Sequence, residues 1–297
     1  MNLRTLGQDG AGFVFTNRLH IAFMPLFLTA FWNQALKLPL PPEYYLMTML
    51  TTLGGYIYNI HTDGAEDAHN YRSKYRVLEP GKRATMMVIW GCYLGGFLLS
   101  LSAGWVFVVY GGIVHFLGGL YSRRLPFTWR GRPLRIKEVP FLKNLYAGIF
   151  WSLLLILTPY LYVQQTPGLV AALAVVGSFG MNYFTEVLWD VRDMPGDAKA
   201  GFRTVPMVIG LPATYRLLLA VHVLTCGVVL GGALAGLLPV GFLWVGAAHL
   251  PIGWWLLNRY WQLPDKEWAS HLYLVYAGIL LSSGMALTWA LERGGWA

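Results

Sequence analysis

The chain alternates long apolar runs with short polar segments over most of its length. Nine runs approach the length of about 20 residues that a helix needs to cross a bilayer. They cover residues 19–36, 42–60, 85–102, 104–121, 143–163, 168–189, 213–235, 239–257 and 270–291. Short links near Gly104 and Pro239 predict that the third and fourth runs, and the seventh and eighth, form helical hairpins. The pattern therefore predicts nine transmembrane helices.

Composition supports this interpretation. Apolar residues make up 56% of the 297 positions and charged residues only 12%, about half of the charged fraction that soluble domains carry. Since no polar stretch is long enough to form a separate soluble domain, we expect a single all-α integral membrane domain over residues 1–297 with its helices in one bundle.

The distribution of basic residues predicts how the bundle is oriented. With nine spans and a cytoplasmic N-terminus, 20 of the 22 Lys and Arg residues fall on the cytoplasmic side, and only Lys37 and Arg293 do not. This asymmetry follows the positive-inside rule. The net charge of +8 is therefore mainly a topology signal. No compact basic domain carries it, which argues against nucleic acid as a partner.

A cluster of acids and one amide follows the second apolar run, in the stretch "NIHTDGAED". Asn59, Asp63 and Asp67 are spaced four residues apart, so a helix would place them in one stripe with Cβ atoms about 5–6 Å apart. Carboxylates at this spacing repel one another unless a cation lies between them. Oxygen-only ligands favour Mg²⁺ or Ca²⁺ over softer metals.

A second acidic cluster follows the sixth apolar run, in the stretch "WDVRDMPGD". It contains Asp190, Asp193 and Asp197. Pro195 and Gly196 interrupt it, so a helix end or turn is as consistent with the sequence as a continuing helix. Both clusters fall on the same predicted side of the membrane, where they could hold two Mg²⁺ ions around one diphosphate.

Basic residues near the two clusters suit the same ligand, because Arg and Lys bind phosphate oxygens. An equally simple interpretation assigns each of them to topology and lipid headgroups. The residues in question are Arg72, Arg76, Lys82, Arg83, Lys143, Lys199 and Arg203.

These stretches resemble a known family. "NIHTDGAED" is similar to the N-x-x-x-D-x-x-x-D motif of the UbiA superfamily of intramembrane prenyltransferases, and "DMPGD" to its second D-x-x-x-D motif. The longer stretch "DVRDMPGDAKAGFRTVPMVIG" is similar to the extended second pattern. The resemblance covers essentially the whole chain, since motifs after the second and sixth of nine helices are the family arrangement.

The resemblance implies that the helices surround a central cavity and that the acids bind two Mg²⁺ ions together with the diphosphate of a prenyl donor. The expected catalytic residues are Asp63, Asp67, Asp193 and Asp197. The expected metal ligands are Asn59, Asp63, Asp67, Asp190, Asp193 and Asp197. The expected substrate-binding residues are Asn59, Arg72, Arg76, Lys143, Asp190, Arg203, Tyr121 and Glu186.

The chain departs from the family pattern at two places. The segment from Arg76 to Gly81 reads "RVLEPG", where many members have R-P-L-P-S-G. Members with a Y-x-x-x-K pattern at the end of the fourth helix also differ, because Leu125 stands at the Lys position after Tyr121. These changes affect the expected identity of the acceptor substrate more than they affect the expected metal chemistry.

The implied activity is Mg²⁺-dependent transfer of an isoprenyl group from a prenyl diphosphate to an aromatic or other lipophilic acceptor, through an allylic carbocation. The site would face the cytoplasm, from the inner membrane in a bacterium. One alternative is a UbiA-type terpene cyclase that acts on the prenyl diphosphate alone. A second, from a different class, is a secondary transporter whose buried acids bind cations.

Three further groups lie in the apolar runs. Glu186 either orients an acceptor, supports Asp190, or makes a plain interhelical hydrogen bond. Cys92 and Cys226 have no metal-ligand or redox spacing and are expected to be buried free thiols. His222 and His249 are expected to be packing or hydrogen-bonding groups.

Overall fold

A computed structural model of the chain describes residues 19–62, 82–123, 135–264 and 266–294, with a few positions between 126 and 133. These residues are almost entirely helical. The α-helices are α1 (Leu19–Leu36), α2 (Pro42–Thr62), α3 (Arg83–Ser100), α4 (Trp105–Ser122), α5 (Leu142–Tyr162), α6 (Leu169–Ala200), α7 (Val205–Ile209), α8 (Leu211–Leu234), α9 (Val240–Gln262) and α10 (Lys266–Arg293). Short 3₁₀ helices cover Leu101–Ala103 and Ile136–Glu138, and the strands β1 (Thr128–Trp129) and β2 (Arg132–Pro133) pair antiparallel.

Seven of the described helices are long and apolar enough to cross a membrane, namely α1, α3, α5, α6, α8, α9 and α10. This confirms the prediction of an all-helical, multi-pass integral membrane protein. Helix α4 is apolar over the shorter stretch Trp105–Tyr121. The count of nine spans, the cytoplasmic N-terminus and the single domain stay predictions.

Helix α2 is of membrane length, with 21 residues, but is not among these seven. Two of its hydroxyls bond back to the preceding turn: Thr48 Oγ1 donates to the Tyr44 carbonyl at 2.9 Å, and Thr51 Oγ1 to the Met47 carbonyl at 2.9 Å. Such bonds satisfy the side chains without water, so the polar residues of α2 do not prevent it from lying among other helices.

Helix α6 differs most from the expected boundaries, because it continues to Ala200 although the apolar run ends near residue 189. It passes through Pro195 without ending. Proline removes one backbone N–H donor and disturbs the preceding turn, and the remaining turns of this 32-residue helix continue around it. The sequence was equally consistent with a turn and with a continuing helix at this position, and the structure shows a helix.

The chain divides into two compact units. The first comprises residues 1–28, 39–135 and 195–202, and the second comprises residues 29–38, 136–194 and 203–297. In the first unit α2 packs closely on α3 through small residues. A Cβ added at Gly96 would fall 2.5 Å from Thr51 Cγ2, and one added at Gly95 would fall 3.1 Å from Leu50 Cδ1.

Aromatic side chains form part of the core of the second unit. Phe31 and Trp32 are fully buried, and the Phe31 ring lies 4.3 Å from that of Phe242, centroid to centroid. A second buried cluster joins α6, α8, α9 and α10. Its members include Phe184, Leu188, Leu218, Leu257, Tyr260 and Tyr273. These contacts hold α6 in place just before its acidic end.

Helices α9 and α10 approach most closely at two glycines. A Cβ added at Gly241 would collide with the carbonyl of Gly284, and one added at Gly284 would collide with Val245 Cγ2. Thr288 adds a polar contact, because its Oγ1 accepts a hydrogen bond from the Gly241 N–H at 3.2 Å. Small residues commonly permit such backbone approach between membrane helices.

We expect Gly241→Ala to separate α9 from α10, since the obstructing atom is backbone and cannot rotate away. The apparent free energy of unfolding should fall by about 1–3 kcal/mol, measured by thermal unfolding of the detergent-purified protein. Gly227→Ala is the matched control because a Cβ at that α8 position meets nothing within 4 Å. An equal effect of both changes would contradict the packing role of Gly241.

Candidate functional site

The Asp190 carboxylate is buried on α6, with 1% of the residue exposed. Lys143 Nζ donates to its Oδ1 at 2.5 Å, and Asn144 Nδ2 donates to its Oδ2 at 2.9 Å. Both partners belong to the first turn of α5, where the helix dipole also favours a negative charge. The start of α5 therefore neutralises and fixes this carboxylate from two sides.

The chain enters α5 through a strained residue. Phe141, which precedes the helix, has a φ of 65°, a region that L-residues with side chains rarely adopt. The backbone turns sharply there, immediately before Lys143 and Asn144. Strain of this kind persists only where the surrounding structure enforces it, and here it directs both side chains to the Asp190 carboxylate.

Asp193 is more accessible and has a different partner. Arg192 Nε donates to Asp193 Oδ1 at 2.8 Å and Arg192 Nη2 donates to Oδ2 at 2.7 Å, which makes a bidentate pair. The guanidinium also lies 5.5 Å from the Trp189 ring centroid. Consecutive residues on a helix do not normally face each other, so Arg192 folds back along the surface of α6 to reach its neighbour.

The continuous helix brings four acids of α6 into one stripe. With 100° per residue, Glu186, Asp190, Asp193 and Asp197 fall within a sector of about 60° and span about 16 Å of helix axis. Glu186 interacts electrostatically with Lys143, Asp190 and Arg192. The stripe offers carboxylate oxygens alone, which is the donor type that Mg²⁺ prefers. This donor type is compatible with Mg²⁺, which can in turn bind phosphate oxygens.

The stripe ends at a glycine turn. Gly201 adopts a φ of 77°, and the Phe202 N–H donates to the Asp197 carbonyl at 2.8 Å. Arg203 follows and is exposed. The chain therefore leaves α6 directly after the last acid, with a cation next to the turn.

The structure places the other predicted residues as follows. Asn59 lies near the end of α2 and Tyr121 near the end of α4, and both are half-buried. Four residues lie outside the described parts of the chain, namely Asp63, Asp67, Arg72 and Arg76. Their predicted roles, like the roles of the whole predicted site, stay predictions.

Sequence reasoning gave no specific role to several residues that organise the site. From the sequence Asn144 could line a pocket or equally be a polar helix-entry residue, and Arg192 was not a site candidate, although each binds a carboxylate of α6. Tyr260 on α9 was also missed: its hydroxyl donates to the Leu188 carbonyl at 3.0 Å and ties α9 to the turn before Asp190. Only the proximity of Arg192 to Asp193 was visible in the sequence.

Comparison with known proteins identifies the family. The sequence profile described as the UbiA prenyltransferase family matches residues 22–283. The chain belongs to this family. The predicted family and the predicted enzyme class, prenyltransferase, are therefore confirmed.

A similar curated protein is the digeranylgeranylglyceryl phosphate synthase of Haloquadratum walsbyi. It is 32% identical to this UbiA family member over 85 residues, which are 27% of this chain and 27% of the relative. The match thus spans about a quarter of the length of that relative.

Solved structures of UbiA homologues share the fold. The apo structure of a homologue from Aeropyrum pernix K1 superposes with a TM-score of 0.67 at 13% identity and covers 90% of this chain and 97% of that one. A homologue from Archaeoglobus fulgidus bound to GPP and Mg²⁺ gives a TM-score of 0.61 at 13% identity and covers 93% and 99% of the two chains.

We expect Lys143→Met to destabilise this UbiA protein, because the buried Asp190 carboxylate loses the charge that compensates it. Breaking one half of a buried ion pair costs about 3–5 kcal/mol. The measurement is thermal unfolding in detergent.

Two further variants make this expectation specific. Lys143→Met combined with Asp190→Asn removes both charges and should recover most of the lost stability. Arg203→Met removes an exposed cation and serves as the matched control. If Lys143→Met unfolds no earlier than Arg203→Met, the ion pair does not stabilise the protein.

Proposed function

We propose that this protein transfers an isoprenyl group from a prenyl diphosphate to a lipophilic acceptor in a Mg²⁺-dependent reaction. The observation that carries the proposal is the stripe of four acids on α6, joined to cations from α5 and α6. Membership of the UbiA family supports it. So does the homologue of the same fold that binds GPP and Mg²⁺.

In this proposal two Mg²⁺ ions are bound by the two acidic motifs. Asn59, Asp63 and Asp67 hold one ion, and Asp193 and Asp197 hold the other. Spacing supports this assignment, because residues three and four apart lie side by side on a helix. Bound Mg²⁺ would offset the charge that develops on the departing diphosphate.

Arg192 has a specific part in this scheme. Its guanidinium binds both oxygens of Asp193 through two hydrogen bonds, so the side chain is oriented before substrate arrives. A divalent cation bound at Asp193 would supply the compensating positive charge instead, and the Arg192 guanidinium would then bind the diphosphate oxygens with the same planar fork.

Asp190 acts on the site mainly through Lys143. Its two oxygens accept hydrogen bonds from Lys143 and Asn144, so its first role is to position the ammonium group. Lys143 is partly accessible, with 19% of its side chain exposed. From this position it contacts a phosphate oxygen, and Arg203, Arg72 and Arg76 add further positive charge.

Ionisation of the donor then breaks the allylic carbon–oxygen bond, and the diphosphate leaves with the electron pair. The carbocation is shielded from water by apolar helix surfaces, and aromatic faces stabilise it. A nucleophilic atom of the acceptor captures it and loses a proton. Glu186, one turn further into the apolar part of α6, orients the acceptor. The site faces the cytoplasm.

Replacing one acid of each motif tests the metal scheme. Asp63→Asn and Asp193→Asn should each lower Mg²⁺-dependent release of diphosphate by about a hundredfold or more, the loss typical for removal of an electrostatic catalytic group. Excess EDTA should stop the wild-type protein. Glu292→Gln is the matched control, because Glu292 is exposed and pairs only loosely with Lys37 at 3.8 Å. Turnover that survives EDTA would contradict the proposal.

The need for an acceptor separates the proposal from its alternatives. We expect a prenyl diphosphate alone to give almost no product, and an added acceptor to give a prenylated lipid detected by mass spectrometry. Glyceryl phosphate lipids are the first class to test, as the name of the Haloquadratum walsbyi relative indicates, followed by aromatic acids. Hydrocarbon formed from the donor alone would identify a cyclase. Cation flux into proteoliposomes without diphosphate release would identify a transporter.

A further inference from the structure

The second unit contains a cluster of soft ligand side chains away from the acidic stripe. His222 and Cys226 lie one turn apart on α8, and His249 lies on α9. One ligand atom from each lies within 4.8 Å of the other two. His222 is 3% exposed and Cys226 2% exposed. Two imidazoles and a thiol thus meet inside segments that are apolar enough to span a membrane.

Hydrogen bonds define which nitrogen of His222 can bind a ligand. His222 Nε2 lies 3.0 Å from the Leu250 carbonyl oxygen, which can only accept, so Nε2 carries the proton. The lone pair of this ring is therefore on Nδ1. Histidines that bind metals usually donate their other N–H to a carbonyl or carboxylate in this way.

His249 is oriented by a second contact. Its Nδ1 lies 3.3 Å from the hydroxyl of Tyr276 on α10, which leaves Nε2 as the other nitrogen able to bind a ligand. The His249 and His222 rings are 4.6 Å apart between centroids and inclined at 80°. The two imidazoles are thus held by different partners and meet edge to face.

A glycine makes room for both rings. A Cβ added at Gly253 would collide with His222 Cε1 and lie 2.8 Å from His249 Cε1. A larger residue at this α9 position would force the imidazoles apart. The absence of a side chain at Gly253 therefore allows the His222 and His249 imidazoles to approach each other between the apolar helices α8 and α9.

A cavity adjoins the cluster. Its volume is about 60 Å³. His222 and His249 line it together with mainly apolar residues, among them Phe184 and Tyr273. The two imidazoles therefore border a space that is large enough for a small ion or molecule.

We propose that His222, Cys226 and His249 bind one Zn²⁺ ion, at a site separate from the Mg²⁺-binding acids. Two nitrogens and one sulfur are the donor set that zinc prefers, whereas Mg²⁺ prefers oxygen. Binding releases the Cys226 thiol proton, and the thiolate forms the bond to zinc. Side-chain rotation draws the three ligand atoms to about 2.0–2.3 Å from the ion.

The zinc ion joins α8 to α9 and retains a fourth coordination position. Three protein ligands leave that position open, and the neighbouring cavity supplies a neutral oxygen ligand such as water or an alcohol. The thiolate offsets one of the two positive charges of the ion.

The test is a titration of the purified, chelator-treated full chain in detergent with Co²⁺, which replaces zinc and absorbs light. We expect thiolate-to-cobalt charge-transfer absorption that saturates at one ion per chain. Equimolar Zn²⁺ should displace the signal, and excess Mg²⁺ should not. The titration needs no prenyl donor, so its outcome is independent of the proposed transferase activity.

Two cysteine variants distinguish this site from unspecific binding. Cys226→Ser should abolish the charge-transfer absorption, whereas Cys92→Ser, which changes the other buried free thiol, should leave it intact. His249→Gln should weaken Co²⁺ binding at least tenfold, since even a change next to a metal ligand typically costs 10–100-fold. The His249→Gln variant retains Cys226 and serves as the test if Cys226→Ser fails to fold. Absence of the signal in the wild-type chain, or its survival in folded Cys226→Ser, would overturn the proposal.

Discussion

A carboxylate inside an apolar helix bundle must be compensated, and the Asp190 carboxylate is compensated by the first turn of α5. An isolated charge in such a place costs several kcal/mol. Lys143 and Asn144 offset that cost with two hydrogen bonds that also fix the positions of α5 and α6 at this level. The acids that follow on α6 are held in register by this contact. The geometry of the candidate site therefore depends on one buried ion pair.

The sequence predicted most of the fold because the length of an apolar run directly limits where a membrane helix can begin and end. The observed helices begin and end within a few residues of most predicted runs. The acidic end of α6 was less certain, since Pro195 and Gly196 weaken a helix locally and the sequence does not show what compensates them. Helix α2 shows another limit of prediction from hydropathy. Its threonine hydroxyls are satisfied by hydrogen bonds to its own backbone, but an average hydropathy still counts them as polar.

The candidate site was predictable only where its residues are close along the chain. The spacing of Asp193 and Asp197 shows one helix face directly. The pairing of Lys143 with Asp190 joins residues 47 positions apart, and no local pattern specifies it. The same applies to the cluster of His222, Cys226 and His249. His249 approaches the other two from a neighbouring helix, so the spacing of these residues along the chain did not indicate a metal site.

The described part of the chain thus carries two polar systems that differ in chemical hardness. The α6 stripe offers carboxylate oxygens, which suit a hydrated Mg²⁺ that shares its ligands with phosphates. The cluster on α8 and α9 offers imidazole and thiol groups, which suit a softer ion held mainly by protein. The imidazole and thiol groups disfavour Mg²⁺, so Mg²⁺ is not expected to replace a softer ion at the proposed site on α8 and α9. The two proposed metal sites therefore differ in ligand type, and the soft cluster on α8 and α9 is the one whose ligands select against Mg²⁺.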